Sequence, residues 1–195
     1  MVDAGKALGG STTRARTRRA ILDAAVTVLS NDAAASLHDI AAAAGVGRTT
    51  VHRYFPERSD LVRALGHEAL EKIGAATVRA RLDEGPALQA LQRLCQELFE
   101  LGDLLMLIFS DPQLMTGEEW EVTSDADRAL TRLIERGREG GEIDAAMDPD
   151  WVQHLLWALL YAAWMHGKAE CVGKYDSLNL CLRSLRKALA AGKAA

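Results

Sequence analysis

Proline is scarce: Pro56, Pro86, Pro112 and Pro149 are the only four in 195 residues. Helices are therefore seldom interrupted, and a composition dominated by alanine and leucine favours them almost everywhere. Cysteine is scarcer still, and Cys95, Cys171 and Cys181 lack metal-ligand spacing. An odd count argues against a secreted disulfide framework and for reduced cytosolic thiols. The longest nearly continuous apolar run, residues 151–165, is too short to span a bilayer and carries Gln153 and His154. The first twenty residues are polar and glycine-rich, without the apolar segment of a signal peptide. A cytoplasmic chain with no membrane partner is expected. Also missing are a Gly-rich phosphate loop, a nucleophile elbow and any His/Cys cluster at metal spacing. The neighbouring acids Glu118 and Glu119 would not share a helix face. No enzyme, no metal and no cofactor are expected.

Charge is present but uneven. The net value is −4, yet residues 1–63 hold nine Lys/Arg against six Asp/Glu, and residues 64–195 hold fourteen against twenty-one. Nucleic acid would be repelled by such a chain except at its basic first third. Residues 1–13 lack periodicity and read as a disordered tail. Beyond them Ile21, Ala24, Ala25, Val28 and Leu29 recur at helical spacing, behind Arg14, Arg16, Arg18 and Arg19. Four cations at a helix N-terminus oppose the macrodipole. Either an anionic partner or a frayed, solvated helix start accounts for them.

Residues 37–55 read LHDIAAAAGVGRTTVHRYF. Ser36, with Asp39 three residues on, is a candidate N-cap, and Gly45 a candidate C-cap. A further helix follows from about Gly47 to Tyr54. A helix-turn-helix needs a small residue where its helices cross, a glycine at the corner and an apolar anchor on the second helix. Ala41, Gly45 and Val51 stand at those offsets, with Ile40, Ala44, Val46 and Phe55 closing a small core. The anchors then leave Arg48, Thr49, His52 and Arg53 outward and Thr50 at the margin. A major groove suits that set, because arginine grips guanine bidentately and threonine meets thymine methyls or phosphates. The alternative is a helix corner with no nucleic acid involved.

Over residues 14–63 the chain resembles the N-terminal domain of the TetR family of bacterial transcriptional regulators. Ser36, Ile40, Ala41, Ala44, Gly45, Val46, the run from Thr50 to Phe55, Arg58 and Leu61 carry the resemblance. It implies that Arg48, Thr49, His52 and Arg53 face bases and nearby phosphates and that Tyr54 hydrogen-bonds a phosphate. Arg58 stands where the family has a phosphate-binding lysine. Arg14, Arg16, Arg18, Ser36 and Thr50 complete the expected DNA-binding set. His52 replaces the usual tyrosine and Thr49 a frequent glycine, departures that bear on base preference. The resemblance further implies a homodimer on double-stranded operator DNA, joined through the last two helices and answering to a small molecule. Repression is the family's commoner habit. An activator, or a helix-turn-helix adaptor for protein, are the competing readings.

Downstream every segment reads as helix. The expected fold class is all-α: a tail over 1–13, a three-helix DNA-binding domain over 14–56, and a larger helical ligand-binding and dimerisation domain over 57–195. A long helix from Ser59-Asp60 turns Leu61, Leu65, Ala69, Ile73 and Ala76 inward. Pro86 opens the next, read as unbroken to Asp111. Residues 118–138 read as one helix with Trp120, Ala129, Leu133 and Ile134 inward. The 151–165 run needs cover on every side, and Leu178, Leu182, Leu185 and Leu189 offer a second apolar face. Together they suggest an intersubunit four-helix bundle, with a monomeric core as the alternative. Phe99, Met106, Phe109, Met115, Trp120, Trp157, Tyr161 and Trp164 are the candidate lining for a mostly apolar ligand, with Asp103 and His154 as polar groups. The same spacing also suits a packed core.

Overall fold

A computed structural model describes residues 4–169 and 172–191, with side chains from residue 12. Cys171 lies outside them. Helices follow one another as α1 (Ala4–Asn31), α2 (Leu37–Ala43), α3 (Arg48–Tyr54), α4 (Arg58–Ala80), α5 (Ala87–Phe99) and α6 (Gly102–Ser110). A 3-10 turn over Pro112–Met115 leads to α7 (Glu118–Glu121), α8 (Asp125–Glu139), α9 (Pro149–Ala169) and α10 (Lys174–Leu189). Among the described residues there is no strand, only a single bridge between Ile143 and Ala190. The chain is all-α, as its composition requires.

Two compact units emerge. One holds the chain up to Ala69 together with Asp103–Gly117, and the other holds Leu70–Gly102 with the chain from Glu118 onward. The fold thus divides inside α4, whereas the sequence suggested a boundary at residue 56. In the first unit Ile21, Leu22, Ala25 and Leu29 of α1 are buried, as are Ile40, Ala41, Val51, Phe55, Leu61 and Leu65. In the second, Leu91, Leu94 and Leu98 of α5, Leu133 and Ile134 of α8, Leu156 and Leu160 of α9, and Leu185 and Leu189 of α10 form the core.

Four expectations need correction. The tail is helical from Ala4, since propagation adds one hydrogen bond for each residue fixed and extends a helix already nucleated; residues 1–3 lie outside the described residues. Arg14 to Arg19 consequently sit well inside α1, where the macrodipole no longer acts. The long helix after Pro86 breaks between Phe99 and Gly102. The break frees the Phe99 carbonyl to accept from Trp164 Nε1 at 3.2 Å. Residues 118–138 also divide. Ser124 and Asp127 form a reciprocal capping box, with Ser124 Oγ accepting from Asp127 N at 3.1 Å and Ser124 N donating to Asp127 Oδ2 at 2.9 Å. Trp120 is left half-buried on α7. Finally, α9 covers only one side: Val152, Leu156, Leu160, Ala163 and Trp164 are buried, while Trp151, Ala158, Tyr161, Ala162 and Met165 are exposed.

The turn joining α4 to α5 is held from outside. Arg93 donates to the carbonyls of Ala80, Arg81 and Glu84 at 2.7–2.8 Å. Arg136 donates to those of Leu82, Asp83 and Gly85 at 2.9–3.1 Å. Glu142 receives the first amides of α5, from Ala87 at 3.0 Å and Leu88 at 3.2 Å. A carboxylate at a helix N-terminus satisfies orphan donors and complements the dipole.

Candidate nucleic-acid interface and effector cleft

One residue sets the corner between α2 and α3. Gly45 has φ +66°, a left-handed conformation that costs other residues roughly 1–2 kcal/mol. Around it Val46 N donates to Ala41 O at 3.0 Å and Gly45 N to Ala42 O at 3.1 Å, so the last carbonyls of α2 are satisfied as the chain turns. At the other end of α2, Ser36 N and Oγ donate to Asp39 Oδ2 at 2.8 and 2.7 Å, and Asp39 N donates back to Ser36 Oγ at 3.3 Å. Hydrogen bonds from the Ser36 hydroxyl, then from its amide, hold the Asp39 carboxyl below its ordinary range. Ser36 is thus engaged as a cap, with its surface still exposed.

Val51 is fully buried and Phe55 nearly so, which orients the rest of α3. Arg48, Thr49, His52 and Arg53 are exposed, Thr50 and Tyr54 half-buried. The Arg53 guanidinium lies 5.5 Å from the Tyr54 ring centroid, and that of Arg18 lies 5.7 Å from the Phe55 ring. Cation–π contacts of this kind orient a guanidinium while leaving its donors available. His52 Nδ1 sits 3.3 Å from Pro56 O. A carbonyl can only accept, so Nδ1 is the donor in this contact. The guanidinium groups of Arg14, Arg16 and Arg48 form no hydrogen bond or ion pair among the described residues.

Two arginines are occupied differently. Arg58 donates to Ala35 O and, at 2.6 Å, to Ala33 O, so it ties the start of α4 to the loop before α2. Arg19 pairs with Asp23 at 3.1 Å and with the buried Glu68 of α4. The Arg58 contacts and the Arg19–Glu68 pair are structural contacts that helical spacing cannot reveal, because the partners lie far apart in the chain.

The candidate pocket residues are divided between the two units. Phe99 and Trp164 are buried and stacked, with centroids 6.0 Å apart, and a Cβ on Gly102 would stand 2.8 Å from Trp164 Nε1. That pair is packed core. Met106 is buried, Phe109 and Met115 are marginally exposed, and all three belong to the first unit. Trp120 and Trp157 are half-buried, and Tyr161 stands on the outer side of α9. Asp103 and His154 are exposed, with His154 Nδ1 2.7 Å from its own helix's Asp150 carbonyl.

A cleft of about 770 Å³ opens within the second unit, between the last turns of α4 with the residues that follow it and the α8 face from Asp125 to Arg136. Thr77, Val78, Ala129 and Leu133 give it apolar walls, and Arg81, Asp83, Asp125, Arg132 and Arg136 give it charge. None of the eight sequence candidates lines it. Hydrogen bonding to Arg128, at 2.7 Å, keeps the Asp125 carboxyl below its ordinary range, so it is anionic near neutrality. One signal for the cleft was present in the sequence: Val78 falls off the inward register of α4, and it is 78% exposed.

Known proteins share this fold. Residues 21–65 match the family described as bacterial regulatory proteins, tetR family. The HTH-type transcriptional repressor LfrR of Mycolicibacterium smegmatis is 41% identical over 157 residues, which cover 80% of this chain and 81% of that protein. The repressor KstR of the same organism is 29% identical over 191 residues, 90% of each chain. The crystal structure of LfrR in complex with proflavine superposes with a TM-score of 0.73 at 35% identity, covering 91% of this chain and 99% of the other.

Proposed function

Because the chain belongs to the TetR family of bacterial transcriptional regulators, we propose that it acts as a repressor on a pseudo-palindromic operator, as a homodimer. The carrying observation is α3, where buried Val51 and Phe55 turn Arg48, Thr49, His52 and Arg53 to solvent together. In this reading α3 enters the major groove, Arg48 and Arg53 meet guanine edges, and the outward His52 ring meets a neighbouring base edge. Arg14, Arg16, Arg18, Thr50 and Tyr54 meet phosphates, which supply affinity and little sequence information. The outer side of α9 supports self-association, because an exposed apolar stripe on a helix calls for a partner surface. For the effector we take the class from LfrR, whose crystal structure holds proflavine: a flat, mostly apolar small molecule. The α4–α8 cleft is the place we assign to it, with Asp125 able to meet a cationic group.

Titrating operator DNA at several salt concentrations tests the interface. Arg48→Ala and Arg53→Ala are each expected to weaken the cognate operator by roughly 1–3 kcal/mol while sparing non-specific DNA. Unchanged operator affinity in both variants would remove α3 as the reading element.

A further inference from the structure

Cys95 on α5 and Cys181 on α10 lie 86 positions apart in the chain, and their sulfurs are 3.4 Å apart. Both are free thiols in the core of the second unit. Cys95 is wholly enclosed, and Cys181 keeps a sliver of surface. A disulfide needs its sulfurs at about 2.05 Å, so little more than an ångström of closure, shared between two side chains, separates contact from bond. Two core thiols in contact are usually inert fillers. Here the pair is also polarised. A hydrogen bond from Cys95 lowers the pKa of Cys181 against the opposing effect of burial. The hydrogen bond to Cys181, with burial and the neighbouring charge, pushes Cys95 up. The two thiols therefore lose their first proton as a pair, and the sulfur that keeps contact with the surface is the one left anionic.

We propose that Cys95 and Cys181 are an oxidative modification site, at which a small hydroperoxide closes a disulfide between α5 and α10. The Cys181 thiolate attacks the distal oxygen of the peroxide. The O–O bond breaks, and the leaving oxygen takes a proton and departs as an alcohol or water, giving Cys181 sulfenic acid. The Cys95 sulfur then attacks the Cys181 sulfur. The S–O bond breaks, and the Cys95 proton leaves with hydroxide as water. Two thiols lose two electrons, and the peroxide gains them. Burial sets the size limit, since hydrogen peroxide can reach a sulfur that a bulky disulfide cannot. The product ties the last helix to α5 by a bond that a dithiol reverses.

The full chain treated with hydrogen peroxide, alkylated and digested with trypsin without reduction provides the test. Cleavage after Arg93, Arg128, Lys168, Lys174 and Arg183 puts the three cysteines on three separate peptides. The expected product is peptide 94–128 joined to peptide 175–183, with two of three thiols lost and both restored by dithiothreitol. Cys171→Ser should form the same link. Cys95→Ser should stop at a Cys181 sulfenic acid that dimedone traps. A link that includes Cys171, a link between two copies, or a 95–181 link formed only after denaturation would each overturn the proposal. The unsubstituted chain alone decides the matter, so a poorly folded variant does not obscure it.

Discussion

Arg58 shows how one guanidinium can be claimed by two roles. The family resemblance places it on a phosphate, and the fold places it on the carbonyls of Ala33 and Ala35. The measurements that separate these roles are independent. Each carbonyl bond is worth about 1 kcal/mol net, so Arg58→Ala should lower unfolding stability by roughly 1–2 kcal/mol in denaturant titrations. The slope of log affinity against log salt should stay near that of the parent. A phosphate contact would instead lower that slope by about one. Arg48 and Arg53 were legible in the sequence because Val51 and Phe55 fix which side of a short helix faces inward. Arg58 was not, because its partners precede it by 25 and 23 positions and no periodicity connects them.

At the scale of elements, the sequence revealed helix content, the α2–α3 corner and most starts signalled by proline or a capping residue. It failed where a neighbour decides. Residues 104–108 are all buried, so their pattern has no polar side on which a break could show. The break before α6 is fixed by Trp164, whose indole packs against Gly102. Gly102→Ala would add a Cβ 2.8 Å from Trp164 Nε1, and a buried indole has little room to yield. Overpacking plus the lost bond to Phe99 O should cost roughly 1–3 kcal/mol. Thermal unfolding should report the loss, and the fluorescence of Trp164 should shift as its hydrogen bond opens. A variant as stable as the parent would mean that the α5–α6 break is not held by this contact. The α4–α8 cleft showed in the sequence only through the off-register Val78. Its walls come from α4 and α8, and neither helix alone shows a groove.

For the whole molecule the open question is the partner of α9. The expected leucine face of α10 divides in the fold: Leu185 and Leu189 are buried within the protomer, while Leu178 and Leu182 are only half-buried. Leu185→Arg should therefore unfold the second unit, because it buries an unpaired charge. Ala158→Arg is the proper probe of assembly, since Ala158 is exposed beside Tyr161, Ala162 and Met165. Sedimentation should find a dimeric parent and a folded, monomeric Ala158→Arg chain with weakened operator binding. A monomeric parent at micromolar concentration would count against the homodimer.

The turn after α4 has one more implication. Surface connections ordinarily tolerate insertions and deletions, since their backbones are solvated and their exact length is immaterial. Here six successive carbonyls, from Ala80 to Gly85, accept from just two side chains, Arg93 and Arg136. Adding or removing a single residue would put the remaining carbonyls out of step with two rigid forks of donors. The exposed Glu84 side chain is free to change in identity, whereas Arg81 holds a left-handed φ of +47° and both Arg81 and Asp83 line the α4–α8 cleft; the number of residues between α4 and α5 is as constrained as the volume of a core.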